Sequence, residues 1–187
     1  MTHVTLGILA GGRGTRLGGR DKAWLARAGE PQVMRIARQF GAHCSGILVS
    51  ANRNAGRLAE LGLQVVADRI PDVGPLGGLD ALAAACSTRW LFTIPVDVVD
   101  AGECLLRTLV GAGPDGAVAD DVDGVQPLIA LYPVDSLRVA VAQSIATGDF
   151  SVHAMQERLQ LPRVRFAGQR FGNLNTPADL QAAGFDP

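Results

Sequence analysis

The chain has 187 residues, 48% of them hydrophobic and 19% charged, with 17 basic against 18 acidic side chains, a balance that excludes a mainly disordered protein. Its length predicts one domain over residues 1–187, large enough to bury about 70% of its unfolded surface without disulfides. A formal net charge of -1 leaves no broad electrostatic footprint for nucleic acid. No apolar run approaches the roughly 20 residues of a membrane span, and Met1-Thr2-His3 lacks the basic start and apolar core of a signal segment. The expectation is a cytoplasmic protein with no nucleic acid and no membrane among its partners. Cys44, Cys86 and Cys104 are widely spaced and form no Cys-x-x-Cys, which points to reduced thiols rather than a disulfide framework or a zinc site.

In chain order, Thr5 to Ala10 is a short apolar run ending in glycines and reads as a buried strand entering a loop. After Pro31, the residues Val33, Met34, Ile36, Ala37 and Phe40 have helical spacing that stops near Gly41. A strand over Gly46–Ser50, an amphipathic stretch from Ala55 to Leu61, a strand over Leu63–Ala67, an Ala-rich helix from Leu76 to Cys86 and a strand over Trp90–Ile94 follow. Strands separated by helical stretches of this length predict a doubly wound α/β fold, a mostly parallel sheet covered by helices on both faces. The cluster Asp120 to Gly124 reads as a turn between Ala117–Ala119 and a returning strand over Val125–Leu131, one antiparallel excursion. Helices near Val134–Ala146 and Ser151–Leu159, a strand over Arg163–Phe166, and a last helix from Pro177 capped by Thr176 close the chain.

The first loop carries the main chemical signal. Between Gly11 and Gly19 five of nine residues are glycine, and Arg13, Arg16 and Lys22 add positive charge. Glycines let backbone N–H groups approach an anion closely, and the loop leaves the carboxyl end of the first strand, where open α/β sheets bind ligands. A polyphosphate is the natural guest. Gly19 is followed by Arg20-Asp21-Lys22 rather than the Gly-Lys-Ser/Thr of a P-loop, and Gly12-x-Gly14 has three residues before Gly18 instead of the two of a dinucleotide fingerprint. Sixteen of the 17 basic residues are arginine, so the single lysine falls within this segment.

The run Leu9-Ala10-Gly11-Gly12-Arg13-Gly14-Thr15-Arg16-Leu17, followed by Lys22, resembles the signature of sugar-nucleotide-type nucleotidyltransferases. The short spacing from Arg16 to Lys22 is similar to that of the molybdenum cofactor guanylyltransferases. The resemblance continues through Ser50-Ala51-Asn52-Arg53, the Pro/Gly segment Asp68 to Gly78, and Asn173-Leu174-Asn175-Thr176-Pro177, covering nearly the whole chain. It implies a Rossmann-like nucleotidyltransferase fold and transfer of GMP from GTP to molybdopterin or its molybdenum-bound form. Magnesium is the implied cofactor, and molybdoenzyme maturation proteins are implied as further partners. It assigns the nucleotide to Leu9, Ala10, Gly11, Gly12, Lys22, Asn52, Asp68 and Asp97, the metal to Asp97, and catalysis to Lys22, Asp97 and Arg16. Asn173 and Asn175 flank an apolar residue, so in an extended segment both amides face one way, as an acceptor-binding pair would require.

Two departures stand out. The family pattern Pro-Cys-Asp-Thr-Pro is replaced here by Pro95-Val96-Asp97-Val98-Val99-Asp100, and Gln126 precedes Pro127 where a His often stands; the first bears on the metal loop, the second on acceptor choice. Read from the residues alone, Lys22 is also a plausible solvated helix-start lysine, Asn52 and Asn175 serve equally as turn residues, and Asp68 as a cap. His3, His43 and His153 are isolated, and Asp72, Asp100, Asp120, Asp121 and Asp123 lie in loop-like segments where acids are ordinarily solvated. A CTP-dependent relative, an enzyme acting on a sugar or polyol phosphate, and a non-catalytic nucleotide-binding module stand as alternatives.

Overall fold

The computed structural model describes residues 3–11, 20–102 and 104–186. A seven-stranded sheet is built from β1 (Val4–Leu9), β4 (Gly46–Ser50), β5 (Gln64–Val66), β6 (Trp90–Pro95), β7 (Ala117–Asp121), β8 (Gly124–Pro133) and β9 (Arg163–Arg165). Across the sheet the order is β5-β4-β1-β6-β8-β7-β9. All neighbours pair in parallel except β8, which runs antiparallel to both β6 and β7. The expected doubly wound, mostly parallel sheet with one antiparallel excursion is therefore what forms. The excursion arises because β7 and β8 are joined by the tight Val122-Asp123 turn, and a connection that short forces antiparallel pairing.

Alternate side chains of the central strands feed two cores, as a period of two requires. On one face, Leu6, Ile8, Phe92 and Ile94 pack against helices α1 (Gln32–Gly41), α2 (Ala55–Glu60) and α4 (Cys104–Gly111). On the other, Leu48, Leu91, Val118 and Tyr132 meet α3 (Pro75–Ala85), α5 (Val134–Thr147) and α6 (Val152–Leu159). Helix α1 shows why these faces form. Val33, Ile36, Ala37 and Phe40 are buried while Arg38 on the opposite side is exposed and forks onto Glu30. Among the described residues no helix is long and apolar enough to cross a membrane.

Two elements go beyond the sequence expectations. Helix α4 buries Leu105, Leu106 and Leu109 within a run of only eight residues, too short for periodicity to stand out against its glycine-flanked surroundings. A two-residue hairpin, β2 (Ala26–Arg27) with β3 (Glu30–Pro31), turns through Ala28 and Gly29, both at positive φ, and leads into α1. The last helix, α7 (Pro177–Ala182), starts as expected. Thr176 accepts from the Asp179 N–H while the Asp179 carboxylate returns to the Thr176 N–H, a reciprocal cap.

Candidate active site

The chain leaves β1 toward one edge of the sheet and β6 toward the other, so a crevice opens where their carboxyl ends lie side by side, the position at which open α/β sheets take ligands. Leu9 pairs with both Ser50 and Pro95 in register. Beyond it, the Ala10 N–H donates to the Ser50 carbonyl, and the Leu9 carbonyl accepts from Val96 N–H. Leu9 and Ala10 are thus clamped between the two neighbouring strands at the floor of the crevice, and Gly11 follows them, exposed. Gly12, Arg13 and Arg16 lie outside the described residues.

Lys22 opens a single 3-10 turn, Lys22–Trp24, capped by Asp21, whose carboxylate accepts from Ala23 N–H. The second Asp21 oxygen takes the Asn54 amide at 2.8 Å. Asn54 stands at left-handed φ of 56° at the start of α2, and its side chain ties α2 to the lysine turn. The Arg57 guanidinium, one turn into α2, lies 3.6 Å from the centre of the Trp24 ring, a cation–π contact that adds to the same tie.

From that turn the Lys22 ammonium reaches across the crevice. Its Nζ lies 2.8 Å from Asp97 Oδ2 and 2.8 Å from Asn175 Oδ1. These three residues come from the end of the first loop, the end of β6 and the carboxy-terminal segment, and their side chains stay partly accessible, at 21% for Lys22 and 23% for Asp97. Asn175 does not serve as the turn-initiating cap, since Thr176 takes that role and the Asp179 carboxylate accepts from the Asn175 and Thr176 N–H groups. Hydrogen bonding from Thr176 and Asn175 holds the Asp179 carboxyl below the usual carboxylate range, and the Lys22 charge adds to it.

Asn173 is exposed, Asn175 is half-buried and Leu174 between them is fully buried; the Asn175 N–H donates to the Asn173 carbonyl at 3.1 Å, so the two asparagines flank a tight turn rather than lying on the extended segment expected. Leu174 packs with Leu25, Leu180 and Phe185 in a small separate cluster. Because Leu25 directly follows the lysine turn, one apolar contact sets both Lys22 and Asn175. Leu174→Ala should therefore cost about 2–3 kcal/mol, the lower part of the range for a buried leucine because so small a cluster can partly collapse; urea unfolding of the variant beside wild type measures it.

Asn52 and Asp68 form a second group at the ends of β4 and β5. The Asn52 amide donates to Asp68 Oδ2 at 2.7 Å and its carbonyl accepts from Asp68 N–H at 2.9 Å, while Ser50 Oγ donates to Asp68 Oδ1 at 3.3 Å. Asn52 is exposed and Asp68 is half-buried. Helix α3 closes on this group through glycines. A Cβ at Gly78 would stand 2.8 Å from Ser50 Oγ and from Leu9 Cδ2, and one at Gly77 would stand 3.1 Å from Asp68 Oδ2, so any side chain there would push the helix off the crevice. Arg69 forks onto the buried Asp80 carboxylate at 2.6 and 2.8 Å, fixing the connection from Asp68 into α3.

Several positioning residues were not legible in advance. Asp121, grouped in sequence with solvated loop acids, is instead the last residue of β7 and 1% exposed. Gln32, the first residue of α1, is 2% exposed and donates to the Val98 carbonyl at 2.6 Å, next to Asp97. Gln39 likewise donates to the Ala101 carbonyl. The only signal for Gln32 was a polar residue on the side of α1 that carries Val33 and Ile36.

Among the described residues no group of three or more His, Cys, Asp or Glu side chains is arranged to hold a metal ion. Among the described residues the carboxylate nearest the lysine in the crevice is Asp97, already paired with the Lys22 ammonium. That donor set suits an ion such as magnesium, which takes one or two protein carboxylates and completes its shell with phosphate and water oxygens.

The model of the MobA-like NTP transferase domain matches residues 6–161. A Yersinia pseudotuberculosis protein named molybdenum cofactor guanylyltransferase is 35% identical over 182 residues, covering 95% of this chain and 93% of the relative. Among solved structures, molybdopterin-guanine dinucleotide biosynthesis protein A from Archaeoglobus fulgidus superposes with a TM-score of 0.75 at 21% identity, covering 96% of each chain. A nucleotidyl transferase from Methanothermobacter does so with a TM-score of 0.78 at 16% identity, covering 97% of this chain and 96% of the other. The two structures agree in fold, and the domain match together with the 35% identity shows that the chain belongs to the MobA-like NTP transferase family.

Proposed function

We propose that this chain transfers GMP from GTP to molybdopterin, in its molybdenum-bound form, in the cytoplasm, releasing pyrophosphate and leaving the guanine dinucleotide cofactor. The observation that carries the reading is the meeting of Lys22, Asp97 and Asn175 across 75 and 153 residues of sequence, at the sheet edge where nucleotides bind. In the reaction a phosphate oxygen of the acceptor bonds to the α-phosphorus of GTP, and the bond from that phosphorus to the bridging oxygen of pyrophosphate breaks. A terminal phosphate is already largely anionic at pH 7, so the nucleophile needs no general base. Positioning and charge stabilisation supply the catalysis.

In this reading Leu9, Ala10 and Gly11 hold the nucleotide along the floor, Asn52 and Asp68 hold it further along, and Arg16 and the Gly12 backbone act on the phosphates. Lys22 contacts phosphate oxygens as a point charge, and Asn173 and Asn175 orient the acceptor. Asp97 holds magnesium, which when bound neutralises charge on the phosphates. Molybdoenzyme maturation proteins receive the product. The direct test is incubation with GTP, magnesium and molybdenum-bound molybdopterin followed by mass analysis. The adduct heavier by one GMP supports the reading, and a product formed from CTP or on a sugar phosphate would replace it.

Lys22→Ala and Lys22→Arg should each lower turnover by about tenfold or more. The lysine sits at 2.8 Å from two oxygens, a place that fits a compact ammonium and not a planar fork. Steady-state rates at saturating GTP check this, and an Arg variant near wild-type activity would show that charge alone suffices.

A further inference from the structure

The Asp97 loop and the Asn173–Asn175 segment are laced into one unit. Val99 N–H and Asp100 N–H both donate to the Phe171 carbonyl, Leu174 N–H donates to the Asp97 carbonyl, and Val98 bridges Asn173 in antiparallel fashion. On the far side the unit is tied to the β7–β8 turn by the Val122 N–H on the Gln169 carbonyl, by the exposed Arg170–Asp123 pair and, at Phe171 itself, by the buried Asp121. Its Oδ2 accepts from Phe171 N–H at 2.9 Å, and its Oδ1 accepts from Asp123 N–H at 2.9 Å and from the Gln126 amide at 3.0 Å. Phe171 is therefore gripped at both ends of its backbone, its N–H by Asp121 and its carbonyl by the metal loop. The ring of Phe171 is buried edge-on against Phe166, so the grip cannot slide without opening the core.

A carboxylate that is 1% exposed is costly to desolvate unless its oxygens are hydrogen-bonded. Burial pushes the Asp121 carboxyl up, yet the Phe171, Asp123 and Gln126 donors, with the Arg170 charge, hold it below the usual carboxylate range. The charged groups nearby are consistent with that sign. Arg170 pairs with Asp123 at 2.8 Å, and Asp120 of the same strand is taken by Arg165 at 2.9 Å. The retained charge makes the three bonds charge-assisted, the stronger class.

We propose that Asp121 is a positioning residue for acceptor binding, acting through Phe171 to set Asn173 and Asn175 against Asp97 and Lys22. For its kinetic readout this rests on the guanylyl-transfer reading. Asp121→Asn keeps the volume but turns one acceptor oxygen into a donor facing N–H groups, so at least one of the three bonds is lost. Assayed well below its unfolding temperature, the variant should show an acceptor KM raised by about tenfold or more with an unchanged GTP KM, the pattern of a misplaced binding group. Asp123→Ala, which removes the exposed Arg170 pair but keeps all three donors to Asp121, should leave both constants unchanged. In the wild-type chain, amide hydrogen exchange at Asp123, Phe171, Val99, Asp100 and Leu174 should report one common opening free energy; this needs neither turnover nor a folded variant. An unchanged acceptor KM in Asp121→Asn, or exchange at Phe171 clearly faster than at Asp123, would overturn the proposal. A wild-type chain without transfer activity would count against the guanylyl-transfer reading, and exchange would still decide the role of Asp121.

Discussion

Asp97→Asn should fold normally and bind GTP within about tenfold of wild type, while its turnover falls by a factor on the order of 10² or more, the scale of losing one key electrostatic group. The asparagine carbonyl can still accept from Lys22 Nζ, which now lies 2.8 Å from Asp97 Oδ2, so the crevice keeps its shape. What is lost is the negative charge that, in the proposed reading, would balance magnesium, an effect felt mainly as the transition state forms. Calorimetric GTP affinity measured beside single-turnover rates across a magnesium titration separates the two. An unchanged rate and magnesium dependence would place the metal elsewhere, with Asp100, three residues along the same loop, as the next carboxylate to replace.

Guanine should be preferred over adenine by a large factor, up to roughly 10⁴, because a site built to hydrogen-bond one group leaves its own partners unpaired when an analogue lacks that group. In the proposed reading the groups that would read the base are backbone groups beside Leu9 and Ala10 and the Asn52–Asp68 pair, which Ser50 steadies. Gly77 and Gly78 let α3 pack directly against Asp68, Ser50 and Leu9, which keeps this end of the crevice fixed. Titration calorimetry with GTP, ATP and CTP measures the preference. Equal affinity for ATP and GTP, or a preference for CTP, would require withdrawing the guanylyl assignment.

Much of this architecture was legible in the sequence because it depends on local signals. The apolar run ending at Ala10, the stop at Gly41 and the Thr176-Pro177 start each mark an element boundary by backbone chemistry, and the structure places β1, α1 and α7 there. That Asp97 lies over the same crevice as the first loop follows from its place after a parallel strand at the carboxyl edge of the sheet, whereas nothing in the spacing states that Asn175 touches Lys22. Asp121 and Gln32 were hidden for a different reason. Their side chains are polar, and sequence patterning assigns polar residues to the surface unless something reveals partners. Apart from the Gln126 amide on Asp121, those partners are backbone groups of Phe171, Asp123 and Val98, which almost any residue type supplies and which therefore leave no trace in composition. The replacement of the family's Thr-Pro by Val98-Val99 also gains a meaning from structure. A proline at 99 has no N–H, whereas Val99 donates one to the Phe171 carbonyl, joining the metal loop to the asparagine segment.

Nucleotide and metal should meet where Lys22 and Asp97 now hold each other. A crystal structure with magnesium and a non-hydrolysable GTP analogue tests it most directly. The expected result is magnesium on the Asp97 carboxylate, Lys22 Nζ moved from Asp97 onto phosphate oxygens, and the guanine against the ends of β1 and β4. A nucleotide seated instead in the shallow recess lined by Asp135, Val139, Gln143 and Arg158 on α5 and α6, with the Lys22–Asp97 pair intact, would contradict it.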